Sequence, residues 1–129
     1  MKDEEGKLLY GDLSYKVMGV VFNVYNTIGS CHNEKYIQKA IAADFDALTI
    51  KYQREVAAPL IYKEKQIGKY YLDFIIDGKL VLEIKRDSRL IQKDFEQIKA
   101  YLKVLDLKLG ILVLFSDTKV RFSRILNIY

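Results

Sequence analysis

The sequence contains little cysteine, histidine or proline, and each shortage excludes a class of protein. The single cysteine, Cys31, excludes a scaffold held together by disulfides. Cys31 and the single histidine, His32, cannot supply the four ligands of a structural zinc site. Because these two residues are adjacent, they are also poorly placed to act as a nucleophile and its base. One proline and seven glycines exclude a collagen-like or Pro/Gly-rich chain.

Long apolar runs are missing as well. No run approaches the ~20 apolar residues that a membrane-spanning helix needs. The charged start of the chain lacks the apolar segment of a signal peptide. A lone thiol suits a reducing compartment. We therefore expect a soluble, cytoplasmic protein that does not contact a membrane.

The residues that are present suffice for one folded domain. The chain has 129 residues, of which 50% are hydrophobic and 29% are charged. This composition predicts a single domain over residues 1–129 with a substantial core, and frayed residues at 1–6. The 21 basic and 17 acidic side chains give a net charge of +4. That balance slightly favours an anionic partner.

Hydrophobic spacing predicts two helices, three strands, a third helix and two further strands. Apolar residues recur every three or four positions in the helices, and β-branched and aromatic residues dominate the strands. The predicted helices span residues 13–27, 33–47 and 88–104, and the predicted strands span residues 48–56 with 60–62, 69–76, 79–85, 109–115 and 120–126. The order ααβββαββ predicts an α/β fold in which helices flank a mixed central sheet. The third helix should make a right-handed crossover between parallel strands.

Three signals locate turns or edges among the predicted strands. Pro59 favours an edge strand or a bulge, because proline cannot donate a ladder hydrogen bond. Residues 66–68, Gln-Ile-Gly, predict a turn. Asp77-Gly78 is the strongest hairpin-turn dipeptide in the chain. The strands on either side of Asp77-Gly78 should therefore pair in an antiparallel hairpin.

This hairpin carries the residues with the most informative chemistry. Glu83 and Lys85 lie two positions apart and so share a strand face. Asp73 lies across the turn and comes into the neighbourhood of Glu83. Two carboxylates beside an ammonium suit a hard divalent cation and a phosphate ester, the arrangement of metal-assisted phosphodiester hydrolysis. The alternative is that Glu83 and Lys85 form a solvated strand face. Burying Asp73 within an apolar strand is costly without a partner, which weighs against that alternative.

The pattern Asp73 … Glu83-Ile84-Lys85 resembles the core of the PD-(D/E)xK nucleases. The wider chain resembles the small GxxExxY family, which is assigned to that superfamily. The likeness covers about residues 13–126 and includes the leading helix at 17–25, Ile28-Gly29, Glu34 and the helix that contains Glu96-Gln97. The chain departs from the family pattern near Glu34. Cys31 replaces the family's glycine, Ile37 replaces its tyrosine and Ser30 replaces the proline of its turn.

The resemblance implies a restriction-endonuclease-like fold and a set of roles. Asp73, Glu83 and the carbonyl group of Ile84 would bind the metal, and Glu34 would complete its environment directly or through water. Lys85 would position the attacking water. Gln97 and Tyr101 would orient the lysine or the substrate, and their spacing of four residues places both on one helix face.

We therefore expect a Mg²⁺-dependent nuclease, with Mn²⁺ as a substitute, that acts on DNA in preference to RNA. Four basic residues after the hairpin are candidate nucleic-acid contacts: Arg86, Arg89, Lys93 and Lys99. Two alternatives remain open. One is a non-catalytic nucleic-acid-binding or assembly module on the same fold, and the other is a hydrolase of a small phosphoester. The apolar face of the first helix and the exposed tyrosines would also suit a homodimer.

Overall fold

The computed structural model describes residues 9–127. Within them, the elements are α1 (Gly11–Ile28), α2 (Glu34–Ala47), β1 (Tyr52–Tyr62), β2 (Lys65–Ile76), β3 (Leu80–Arg86), α3 (Gln92–Leu105), β4 (Leu109–Phe115) and β5 (Val120–Leu126). The order ααβββαββ confirms the predicted fold class. The residues expected to be frayed, 1–6, lie outside the described part of the chain.

The five strands form one mixed sheet in the order β1-β2-β3-β4-β5. Neighbouring strands are antiparallel except for β3 and β4, which pair in parallel through the α3 crossover. A parallel strand covered on both faces should be apolar throughout. All seven residues of β4 are buried, which agrees with the continuous apolar run in its sequence.

Helices cover the two faces of the sheet and create two apolar cores. Helices α1 and α2 pack on one face through residues such as Val21 and Ile41, against Leu82 of β3. Helix α3 packs on the other face, where Leu102 contacts the core that includes Leu112. Among residues 9–127, no helix is long and apolar enough to cross a membrane.

The helix starts depend on short polar contacts. Asn33 caps α2 as predicted, since its side-chain oxygen accepts a hydrogen bond from the Tyr36 N–H at 3.0 Å. The third helix begins at Gln92 rather than residue 88, so its predicted start was four residues early. The Asp94 carboxylate accepts a hydrogen bond from the Ile91 N–H at 2.9 Å and satisfies a donor at this later start.

The turn signals had different outcomes. Pro59 lies in β1, which is an edge strand with a register shift between Leu60 and Ile61, and this confirms the edge interpretation. Asp77 and Gly78 form the predicted hairpin turn, with φ angles of 52° and 65°. The turn predicted at residues 66–68 was wrong, because these residues belong to β2. The chain reverses instead at Lys63-Glu64, where both φ angles are positive.

Candidate active site

Asp73 and Glu83 occupy the point at which β2 and β3 stop pairing. The backbone ladder of this hairpin ends at Phe74, opposite Leu82. At the next position on each strand, Asp73 and Glu83, hydrogen bonds from backbone N–H groups to side-chain carboxylates take the place of bonds between the two backbones. The Asp73 N–H donates to Oε1 of Glu83 at 2.6 Å, and the Ile84 N–H donates to Oδ2 of Asp73 at 2.7 Å. These reciprocal bonds hold the two side chains between the strands and confirm that Asp73 and Glu83 are neighbours.

An irregularity in β2 and its partner strand accompanies this arrangement. Phe74 packs in the core beneath α1 and α2, whereas Leu72 packs in the core beneath α3. Regular alternation would place residues two positions apart on the same face, so the side-chain pattern switches at Asp73. In β1, Glu55 has a φ of 52° and lies between Arg54, which pairs with Phe74, and Val56, which pairs with Leu72. The distortion therefore affects both strands beside the candidate site.

Burial changes the protonation of both carboxyls. Glu83 is only 6% exposed. Its burial, together with the nearby charge of Asp73, raises the pKa of Glu83 to about 8. Burial also raises the pKa of Asp73 to about 6, although the hydrogen bond from Ile84 opposes that shift. Near neutral pH the pair therefore favours one negative charge in the absence of a cation.

Lys85 follows Glu83 on β3 and is half-buried. Its ammonium lowers the pKa of Asp73 and of Glu83, but burial outweighs that effect for both carboxyls. Within residues 9–127, no ion pair joins Lys85 to either carboxylate. The Lys85 ammonium therefore influences the two carboxyl pKa values without forming an ion pair with either carboxylate. The side chain of Ile84 is buried in the core beneath α1 and α2, so only its backbone is available to the site.

Glu34 approaches the pair from the first residue of α2. Its Oε2 atom accepts a hydrogen bond from the Arg86 N–H at 3.0 Å, just beyond Lys85. Glu34, Asp73 and Tyr71 line a cavity of about 370 Å³. The charge of Glu34 contributes, after burial, to the raised pKa of Asp73. The structure thus brings Glu34 to the carboxylate pair from a distant part of the chain.

Gln97 and Tyr101 lie on one face of α3, where both line a cavity of about 270 Å³. Tyr101 packs against Tyr70, with ring centroids 6.1 Å apart. Burial raises the pKa of Tyr101 to about 12, and the charge of Glu83 adds to this effect. The tyrosine is therefore close enough to Glu83 to sense its ionisation and is a neutral hydrogen-bond donor near physiological pH.

The four candidate nucleic-acid contacts do not share one environment. Arg86 is already engaged, because its guanidinium donates to the carbonyl groups of Ser30 and Phe115 and forms a 2.6 Å ion pair with Asp117. Arg89 lines a cavity of about 860 Å³ together with Lys119 and Arg121. Lys93 lines the Gln97–Tyr101 cavity. Lys99 is exposed on α3.

Sequence reasoning missed Arg54. Its guanidinium lies over the Phe74 ring at 5.6 Å and donates to Oε1 of Gln38 at 3.4 Å. Its charge lowers the pKa of Asp73, against the larger effect of burial. The Nε atom of Arg54 is buried without a partner among the described residues. A lone arginine in a predicted edge strand carries no signal for such a position.

The donor set fits a hard divalent cation. Within residues 9–127, no three carboxylate, imidazole or thiol side chains converge to hold a metal by themselves. Mg²⁺ does not require three, because it binds through one or two carboxylates with water and phosphate oxygens. The backbone bonds use Oε1 of Glu83 and Oδ2 of Asp73, so one further oxygen on each carboxylate is available. A cation would also stabilise the buried Glu83 and half-buried Asp73 carboxylates, which resist ionising together.

Comparison with models of known protein families shows to which family this chain belongs. A model of the PD-(D/E)XK nuclease superfamily matches residues 11–125. The chain belongs to the PD-(D/E)XK nuclease superfamily. A search of curated proteins found no match. The PD-(D/E)XK fold of this chain is similar to the crystal structure of SSO0001, with a TM-score of 0.50 and 17% sequence identity. That alignment covers 88% of this chain and 66% of the SSO0001 chain, so it spans slightly less than two thirds of that protein.

Proposed function

We propose that the protein is a Mg²⁺-dependent nuclease that hydrolyses phosphodiester bonds of DNA, with Mn²⁺ as an effective substitute. The observation that carries this proposal is the carboxylate pair between β2 and β3. Glu83 is buried and Asp73 is half-buried, each carboxylate accepts a backbone N–H of the facing strand, and Lys85 lies two residues after Glu83 on the same strand. Membership of a nuclease superfamily supports a nucleic-acid substrate.

In this proposal, the available oxygens of Asp73 and Glu83 and the carbonyl group of Ile84 would hold the metal. When bound, such an ion lowers the pKa of a coordinated water and stabilises negative charge on the phosphate. Glu34 completes the metal's environment either directly, through its other carboxylate oxygen, or through water, since its Oε2 atom is bonded to the Arg86 N–H. The raised pKa values of Asp73 and Glu83 make metal binding release protons.

Lys85 performs the second task in the proposed reaction. Its ammonium orients the attacking water and stabilises charge that develops on the phosphate. Tyr101 and Gln97 approach from α3 and orient Lys85 or the substrate. Arg89, Lys93 and Lys99 contact substrate phosphates, whereas Arg86 serves mainly to join β3 to the α1–α2 and β4–β5 turns.

Three finer assignments belong to the same proposal. Within the superfamily, we assign the chain to the GxxExxY family, on the motif residues around Glu34 and the Glu83-Ile84-Lys85 core. We place the protein in the cytoplasm. A homodimer would supply two sites for two strands, and the mass of the protein in solution tests that arrangement.

A cleavage assay tests the proposed activity. Labelled single-stranded and double-stranded DNA and RNA are incubated with Mg²⁺, Mn²⁺ or EDTA. The unaltered protein is compared with Asp73→Asn, Glu83→Gln and Lys85→Met. Asp106→Asn and Lys103→Met serve as matched controls on exposed positions of α3 and its C-terminal cap. Thermal unfolding of every variant confirms that it is folded.

Metal-dependent cleavage that disappears in the three site variants and persists in both controls supports the proposal. The preferred polymer then decides between DNA and RNA. Binding of nucleic acid without cleavage under any metal would contradict the catalytic proposal and favour a binding module. Absence of both binding and cleavage, with hydrolysis of a small phosphodiester that depends on Glu83, would instead indicate a small-molecule hydrolase.

A further inference from the structure

The β1–β2 hairpin extends well past its neighbour in the sheet. Strand β2 pairs with β3 only over Phe74–Ile76, whereas its pairing with β1 continues to the Tyr62–Lys65 pair. Residues 56–72 therefore form a two-stranded extension, which we call the ribbon. At ~3.3 Å per residue, the eight residues of β2 that precede Asp73, 65–72, extend the ribbon by about 25 Å.

Among residues 9–127, the ribbon packs against the rest of the molecule at its base. Ala58 and Leu72 are buried in the core beneath α3. Toward the tip, Ile61, Tyr62 and Ile67 are 53%, 61% and 62% exposed. A two-stranded hairpin is only marginally stable by itself, and clustered exposed apolar residues mark a surface that binds a partner.

The charge of the ribbon indicates an anionic partner. Lys63 and Lys65 lie at its tip, Lys69 lies about midway along it opposite Pro59, and Glu64 is the single acidic residue between positions 56 and 72. The Lys63 ammonium lies 5.5 Å from the centre of the Tyr62 ring, and the Lys69 ammonium lies 5.5 Å from the centre of the Tyr71 ring. Such contacts hold ammonium groups beside aromatic rings while leaving them accessible to phosphates.

The ribbon is continuous with the candidate active site. Tyr71 lines the same cavity as Asp73 and Glu34. A polynucleotide that contacts Lys69 and Tyr71 would therefore pass directly to the carboxylate pair. The major groove of B-form DNA is about 12 Å wide and admits a two-stranded ribbon, whereas the major groove of an RNA duplex is too narrow for side chains to read.

We propose that the ribbon binds duplex DNA by entering its major groove, so that Lys63, Lys65 and Lys69 contact phosphates beside the scissile strand. This inference rests on the proposed function for the position of the cut, but ribbon binding is measurable without cleavage. The ribbon supplies the surface that holds the substrate, since the other connections between the described helices and strands are short. Duplex DNA is then the substrate class, in preference to single strands and to RNA.

The test compares two variants that lose the same charge. In the ribbon variant, Lys63→Gln, Lys65→Gln and Lys69→Gln are combined. In the control variant, three of the exposed lysines outside the ribbon are changed by Lys16→Gln, Lys103→Gln and Lys108→Gln. Binding of labelled duplex DNA, single-stranded DNA and duplex RNA is measured by fluorescence anisotropy in EDTA over a salt series. Sedimentation gives the mass of each protein, including Ile67→Ser.

Each phosphate contact contributes about 0.9 to the slope of log affinity against log salt, so the ribbon variant should lose about 2 to 3 in slope and at least about tenfold in affinity for duplex DNA. The control variant should lose much less. Equal losses in the two variants, or no duplex binding by the unaltered protein, would overturn the proposal. A dimer that Ile67→Ser dissociates, with duplex affinity unchanged in the ribbon variant, would show a self-association surface instead. Ribbon-dependent binding without cleavage would refute the nuclease activity alone.

Discussion

Replacing Glu83 with glutamine should stabilise the metal-free protein at alkaline pH. The introduced amide side chain would keep an oxygen that accepts the Asp73 N–H, as Oε1 of Glu83 does. It would remove the carboxyl whose ionisation the buried site opposes. Burial and the charge of Asp73 raise the pKa of Glu83 from 4.5 to about 8. The substitution therefore removes an electrostatic penalty and preserves the local hydrogen bond.

The direction of the pH dependence follows from proton binding. Below pH 4.5, both the folded and the unfolded chain carry the Glu83 proton, so this residue adds no penalty. Between 4.5 and about 8, the unfolded chain releases the proton and the folded chain retains it, so the free energy of unfolding falls as pH rises. Above that window the penalty is complete, and a pKa change of this size corresponds to at most about 5 kcal/mol.

Urea unfolding in EDTA, followed by circular dichroism, measures the effect. At about pH 5, Glu83→Gln and the unaltered protein should differ by less than about 1 kcal/mol, whereas at about pH 8 the variant should be more stable by about 2 to 5 kcal/mol. The exposed Glu96→Gln serves as the matched control, and its pH dependence should follow that of the unaltered protein. A Glu83→Gln variant that is less stable than the unaltered protein at the alkaline pH would refute the reasoning.

Added Mg²⁺ extends the same experiment. It should stabilise the unaltered protein most at alkaline pH, because the ion binds the ionised carboxylates of the folded state only. The Glu83→Gln variant should gain much less stability from the same concentration. An equal gain in both proteins would place the bound ion elsewhere.

Three further substitutions test the packing and turns. Gly110→Ala should destabilise the fold by about 1 to 3 kcal/mol, because a Cβ there would lie 2.6 Å from Cγ2 of Ile98 on α3; an unchanged urea midpoint would contradict that close packing. Arg86→Lys should cost about 1 to 3 kcal/mol, since lysine cannot bond both adjoining turns at once; thermal unfolding equal to that of the unaltered protein would argue against the role. Gly78→Ala should cost about 1 to 2 kcal/mol at a φ of 65°, whereas Gly68→Ala, with open space around it, gives a comparison without that strain.

Local patterns predicted the element order and the core of the site. Periods of two and of three to four residues identify strands and helices, and Asp77-Gly78 determines how β2 and β3 pair. Once that turn is known, counting outward from it brings Asp73 into the neighbourhood of Glu83, and the observed pairing of Ile76 with Leu80 puts the two residues directly across from each other. This reasoning succeeds because the relevant contacts form within a single hairpin.

Other features depend on contacts that local patterns do not encode. The turn at Lys63-Glu64 uses two residues with positive φ but contains no glycine or asparagine, so residues 66–68 gave a stronger and incorrect signal. The Arg86 guanidinium bonds residues 56 and 31 positions away, at Ser30 and Asp117. The length of the ribbon depends on where β3 stops pairing with β2. The composition of a single strand does not reveal that point.

The candidate site combines contacts within one hairpin with a contact from a distant helix, and these two kinds of contact differ in the chain entropy that they cost. The bonds of the carboxylate pair span 10 and 11 residues, whereas the bond between Glu34 and Arg86 spans 52. Closing the longer loop costs about 1.5 kcal/mol more chain entropy than closing the shorter ones. The hairpin can therefore bring both proposed metal ligands together before α2 docks. The Glu34–Arg86 bond requires α2 to be docked on β3, so this contact reports whether the whole domain, and not the hairpin alone, has folded around the proposed metal site.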